Sequence, residues 1–206
     1  PRRMGKTFST AYFAIVMGIV IPKLEISIFS PGKRQSVLLM GHIYSFMKRL
    51  GEADRIVQKN EEKLVLRSLN GEESKINAYP SNPKTLKGCS GHIIILEEFA
   101  IIPEDVLFEV VCPLHQIDIT ALIGISTITT TDNIMTKFLN MKDRHGDNVF
   151  EVKQICMICE TCRKNRLPNC PHQSHLLPEW SSGRKKKVIE SIMKGHEELM
   201  EREMGG

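Results

Sequence analysis

The residues best able to do chemistry open the chain: Pro1-Arg2-Arg3-Met4-Gly5-Lys6-Thr7. Gly5-Lys6-Thr7 matches the second half of a phosphate-binding loop, G-x-x-x-x-G-K-S/T. In such a loop backbone amides wrap phosphates, the lysine reaches the β/γ oxygens and the hydroxyl ligates Mg²⁺. The spacing predicts that the first glycine of the motif, and the strand feeding it, precede Pro1, so that the chain is a fragment. A second group is the acid pair Glu97-Glu98, which closes the apolar run Ile93-Ile94-Ile95-Leu96. Two acids at the end of a buried strand suit phosphoanhydride hydrolysis, the first supporting a metal ion and the second orienting and deprotonating a water. Ser126-Thr127 follows another apolar run, Ile119 to Ile125.

Each motif has a plainer alternative. A lone G-K-T is also a surface turn, and a Glu-Glu pair often does no more than begin a loop. The elements around them favour the chemical reading. Phe8 to Val20 is an apolar run without proline, long enough for a buried helix and too short to span a bilayer. A helix there would aim its N-terminal amides at a bound phosphate. Leu24 to Phe29 alternates like a strand, and Val37, Met40, Ile43, Met47 and Leu50 fall at helical spacing. Leu64-Val65-Leu66 and Lys75 to Tyr79 read as strands joined through the turn residues Asn70-Gly71. A helix is expected to start at Pro103 with Glu104 and Asp105 in its first turn. Strands alternating with helices predict an α/β domain with a mainly parallel sheet. Ligands of such sheets bind beyond the carboxyl ends of the strands, where the loop, Glu97-Glu98 and Ser126-Thr127 would gather.

The cysteines point to a second site. Cys156, Cys159, Cys162, Cys170, His172 and His175 crowd one short segment, while Cys89 and Cys112 stand apart. With no secretory signal in view, the clustering favours metal over disulfides, and a reducing compartment. Structural Zn²⁺ takes four Cys/His ligands, often from C-x2-C pairs. The favoured set is Cys159, Cys162, Cys170 and His172, with Cys156 and His175 as spare or supporting groups; free thiols are the alternative.

The chain has 206 residues, of which 41% are hydrophobic and 25% charged, enough for one sizeable core with a small appendage. Its net charge of +4 permits a polyanionic partner without requiring one. The basic run Arg184-Lys185-Lys186-Lys187 reads either as a contact for DNA or as the solvated face of a mixed-charge helix.

Taken in order, these motifs resemble the ATPase domain of viral genome-packaging terminases, the large-subunit motors of tailed phages and herpes-type viruses. Pro1 to Thr7 is similar to that family's arginine-bearing phosphate loop, and Ala78 to Gly88 to the segment before its acidic strand. Ile93 to Pro103 resembles its Walker B stretch, Ser126-Thr127 its coupling motif, and Met200 to Gly206 its E-x-x-G segment. Two departures stand out. Glu97 replaces the usual Asp, lengthening the reach to Mg²⁺ by a methylene, and Lys87 stands where arginine is common.

The resemblance implies a P-loop ATPase fold flanked by helices and an activity that drives double-stranded DNA into a capsid. It implies ATP and Mg²⁺ as ligands. Arg3, Met4, Gly5, Lys6 and Thr7 would hold the nucleotide, with Thr7 and Glu97 serving Mg²⁺. Glu98 would be the catalytic base, assisted by Lys6 and by Arg2 at the γ-phosphate, and Ser126 and Thr127 would couple hydrolysis to movement. A capsid portal, a small terminase subunit and a homo-oligomeric ring are the implied partners, with no membrane. The implied location is the viral assembly site in host cytoplasm or nucleus. The expected organisation is an ATPase core over 1–150, a zinc knuckle over 151–180, and a helix over 181–206 leading toward a nuclease domain. Two rivals remain: another P-loop translocase or helicase, and a zinc-stabilised nucleic-acid-binding module that does not hydrolyse ATP.

Overall fold

Period-two burial and parallel pairing organise the sheet. In β1 (Glu25–Ser30) Ile26 and Ile28 are wholly buried against the helices, and alternation turns Ser27 and Phe29 to the other face. The computed structural model describes residues 5–82, 89–114, 120–127, 133–152, 160–165, 172, 188 and 191–196. It divides into two units, Lys6–Ser126, and Thr127–Gly206 together with Pro1–Gly5.

The first unit begins with α1 (Lys6–Val20), followed by β1 and α2 (Lys33–Arg49). β2 (Ile56–Lys59), β3 (Lys63–Arg67) and β4 (Glu73–Pro80) form an antiparallel meander, and β5 (Ile93–Glu97) and β6 (Ala121–Ile125) complete a six-stranded sheet of order β2-β3-β4-β1-β5-β6. The β4-β1-β5-β6 half is parallel, so the sheet is mixed. The expected β3–β4 hairpin forms around Gly71, whose φ of +90° is one that glycine adopts without strain. Edge strand β2 had no clear sequence signal; Val57 within it is 45% exposed.

Ala11, Ala14 and Ile15 of α1 and Leu39, Ile43 and Met47 of α2 pack on Ile26, Ile28, Ile76 and Ile95 to form the main core. Gly18 lets α1 approach the sheet closely, with Leu66 Cδ2 3.3 Å from where a Cβ would sit. The sequence leads one to expect a buried first helix, yet only one face is buried. Phe8, Tyr12, Val16 and Val20, spaced by four, line its exposed side.

On the second face, the register pairs Phe29 with Leu96 and Leu96 with Gly124, and the buried Phe99 ring lies on Gly124. From there α3 (Glu104–Val106) runs through a π-helical stretch, Leu107–Val111, into α4 (Cys112–Leu114), burying Val106, Leu107, Val110 and Val111. α3 starts right after Pro103, where the sequence places it.

In the other unit, Asn133 caps α5 (Ile134–Leu139) by accepting a bond from the Thr136 amide at 3.0 Å. The Phe138 and Phe150 rings lie 5.2 Å apart, and α6 (Glu160–Lys164) follows. No helix among the described residues is long and apolar enough to cross a membrane.

Candidate functional site

Gly5, at φ +79°, turns the chain directly into α1, a conformation that a side chain would resist. Lys6 and Thr7 are therefore the first residues of a 15-residue helix. Amides of that first turn have no partners within the helix, and the helix dipole adds positive potential there. The parallel sheet brings the acid pair to the same end. Lys6 Nζ lies 4.0 Å from Glu98 Oε1, and the Thr7 hydroxyl lies near enough to the Glu97 carboxylate to favour its charged form. Residues far apart in sequence thus meet as the motif order predicts.

Glu97 is 4% exposed. Ser30, at the end of neighbouring β1, donates to its Oε2 at 3.3 Å, while its Oε1 has no hydrogen-bond partner. Burial pushes the carboxyl up from its ordinary range and nearby Glu98 pushes the same way; the Thr7 and Ser30 hydroxyls and the charge of His42 oppose it. Glu98 adopts φ 52°, ψ 49°, a left-handed backbone that costs a non-glycine residue about 1 kcal/mol or more. This reversal ends β5 and lets consecutive acids face one helix terminus. Beyond it, the Ala100 amide donates to Ser126 Oγ at 3.1 Å, tying the turn after Glu98 to the end of β6.

A buried carboxylate oxygen without a donor, beside a hydroxyl at a helix N-terminus, is a donor set that suits a hard divalent cation. Glu97 and Thr7 therefore fit Mg²⁺. Ser30 and His42 were missed in the sequence. Ser30 ends a strand whose neighbour is known only from topology, and His42 lies in α2 with its ring 4.5 Å from that of Phe8. Arg2, Arg3, Met4 and Lys87 lie outside the described residues, and Thr127 begins the other unit.

Of the expected zinc ligands, Cys159 and Cys170 also lie outside the described residues. The other two come together, with buried Cys162 Sγ 3.3 Å from His172 Nδ1. Two ligands of a tetrahedral zinc, at ordinary Zn–S and Zn–N lengths, sit about 3.5 Å apart, so this pair has a compatible spacing. Among the described residues no group of three or more possible ligands gathers.

These features define an α/β fold with a phosphate-loop half-motif set against an acidic strand end. No family model matches the sequence, and no curated protein does. Solved structures do match. The Thermus phage P74-26 large terminase ATPase domain aligns over 98% of this chain and 83% of its own, at 19% identity and TM-score 0.66. The HK97 bacteriophage large terminase aligns over 99% of this chain at 14% identity and TM-score 0.67, and this chain spans 44% of its length. The chain has the fold of phage large-terminase ATPase domains.

Proposed function

We propose that the chain is the ATP-hydrolysing motor domain of a large-terminase-type machine that moves double-stranded viral DNA into a capsid. The observation that carries this reading is the meeting of Lys6 and Thr7 with Glu98 and Glu97 at one helix terminus, Lys6 to Glu98 at 4.0 Å and Thr7 beside Glu97. Water attacks the γ-phosphorus, the bond to the β,γ-bridging oxygen breaks, and ADP and phosphate leave. Glu98 accepts the proton of that water, and Lys6 neutralises charge on the β/γ oxygens. Arg3, Met4 and Gly5 complete the loop around the phosphates, and Arg2 reaches the γ-phosphate. Thr7 and Glu97 hold Mg²⁺, which when bound offsets phosphate charge. Ser126, bonded to the turn after Glu98, senses the change there and with Thr127 passes it on.

Double-stranded DNA, a capsid portal, a small terminase subunit and further copies in a ring are the partners of this reading, and a viral assembly site in the host cell is its location. A structural zinc held by Cys159, Cys162, Cys170 and His172 completes it, supported by sequence spacing and the Cys162–His172 approach. DNA-stimulated ATP hydrolysis by the natural full-length protein, beside Glu98→Gln, tests the whole. Turnover that falls at least about a thousandfold in the variant is expected, since a catalytic base and its positioning supply that order. No turnover in folded wild type would reject the motor and favour a nucleic-acid-binding module. Translocation without capsid packaging would favour a helicase-type enzyme.

A further inference from the structure

The apolar stripes of β1 and β5 that face α1 and α2 both end in a polar side chain. Ile26 and Ile28 are followed two residues on by Ser30, and Ile93 and Ile95 by Glu97. Period-two alternation places Ser30 and Glu97 on the same face as those isoleucines. The parallel register pairs Ile28 with Ile95 and Phe29 with Leu96, and its next step sets Ser30 beside Glu97 at the carboxyl ends of the strands. On its other flank Ser30 pairs with Pro80 of β4. The Ser30 side chain is wholly buried, and its hydroxyl donates to Glu97 Oε2 at 3.3 Å. An apolar residue would continue the stripe of β1, whereas a buried hydroxyl is costly unless it is bonded.

The hydroxyl is held in place before any ligand arrives. The Ser30 carbonyl accepts the Ser81 amide at 2.8 Å, which ties the end of β1 to the chain beyond β4. Glu97 has one more rotatable bond than the Asp usual in the family it resembles, and ordering a longer side chain costs more rotamer entropy. With Oε2 engaged by Ser30, Oε1 accepts no hydrogen bond and is the oxygen left for a cation beside Thr7. Carboxylates that ligate metals are themselves hydrogen-bonded as a rule, and those partners fix their orientation.

We infer that Ser30 is a positioning residue for the metal of the candidate site: its hydroxyl holds Oε2 of Glu97 so that Oε1 is presented to the cation. The longer Glu side chain needs this restraint, and a shorter Asp would not reach it. The inference rests on the motor reading for the identity of the bound group, a Mg²⁺–nucleotide. Ser30 acts only through Glu97, so its effect is confined to the metal-dependent part of nucleotide binding.

The test is calorimetric titration of ADP into the full chain, in Mg²⁺ and in EDTA, for wild type, Ser30→Ala, Ser30→Thr, Glu97→Asp and the double variant Ser30→Ala/Glu97→Asp. The readout is the factor by which Mg²⁺ tightens ADP. Ser30→Ala is expected to cut that factor by about tenfold, the lower end of the loss when a metal ligand loses its supporting bond, because this bond is long. Affinity in EDTA and circular dichroism are expected to match wild type. With Glu97→Asp already present, Ser30→Ala is expected to change the factor by less than about twofold, since the two sites are then uncoupled. Ser30→Thr keeps the hydroxyl and is expected to retain the wild-type factor, which decides the matter if Glu97→Asp binds no metal. Equal losses in both backgrounds overturn the inference, as does a folded Ser30→Thr as weak as Ser30→Ala. Ser30→Ala with a wild-type factor overturns it, and so does a wild type whose ADP affinity ignores Mg²⁺. ATP hydrolysis by the same samples separates the claims. The expected binding pattern without wild-type turnover rejects only the motor, and turnover with an unchanged factor in Ser30→Ala rejects only the positioning role.

Discussion

Replacing Glu97 with Gln should stabilise the ligand-free protein while weakening its hold on Mg²⁺-nucleotide. The side chain is 4% exposed, one carboxylate oxygen accepts a long bond from Ser30 at 3.3 Å, and the other accepts none. Leaving a buried polar group unsatisfied costs about 1–3 kcal/mol, and more when it is charged. Gln keeps the shape and an oxygen for Ser30 and exchanges the charged orphan oxygen for a neutral amide N–H₂, so only the cost of the charge, about 1–2 kcal/mol, is recoverable. For a chain of this size that raises Tm by roughly 2–8 °C. The pH dependence follows from the raised carboxyl of Glu97. The folded protein takes up this proton at a higher pH than the unfolded chain does, so ionisation opposes folding. The cost is full above the folded value, falls as pH drops through it, and is gone below the ordinary value of 4.5. The gain of the variant should therefore be largest above the folded value of Glu97 and vanish in acid. Thermal unfolding across that range, with and without Mg²⁺ and ADP, measures both effects; wild type should gain more from the ligands than the variant. A Glu97→Gln protein less stable than wild type above the folded value, without metal, would refute the reasoning, because the buried charge would then cost less than burying an amide in its place.

Gly124→Ala would set its Cβ 2.8 Å from Phe99 Cδ1, forcing the ring and the turn after Glu98 to shift. Overpacking of this kind costs about 1–3 kcal/mol, to be read from the urea midpoint, and ATPase activity should fall with it. If Cys162 and His172 belong to a zinc site, protein purified under reducing conditions should contain close to one zinc per chain by elemental analysis. Cys162→Ala should lose the metal while still binding ADP; metal-free wild type would leave Cys162 and His172 as an ordinary thiol–imidazole contact.

Much of the site was legible because each part has a local signature. Gly5-Lys6-Thr7 before an apolar helix, and Glu97-Glu98 after Ile93 to Leu96, are readable from residue type and order alone. Period-two and helical patterns likewise place β1, α2, β4, β5 and β6 to within a few residues. β2 escaped, because a short edge strand with an exposed Val57 carries little hydrophobic pattern. The exposed side of α1 escaped for the opposite reason: the run from Phe8 to Val20 is apolar nearly throughout, so its sequence does not say which side faces the core.

The sequence by itself determined which chemical groups are present and the order in which strands and helices deliver them. That follows from spacing, turn residues and periodicity, which are properties of neighbours along the chain. Tertiary structure alone decided that β1 lies between β4 and β5, and hence that Ser30 reaches Glu97. It alone set Glu98 in a left-handed turn opposite Lys6 and left one oxygen of Glu97 without a donor. These are consequences of sheet pairing and burial, which join residues tens of positions apart and which no local pattern encodes.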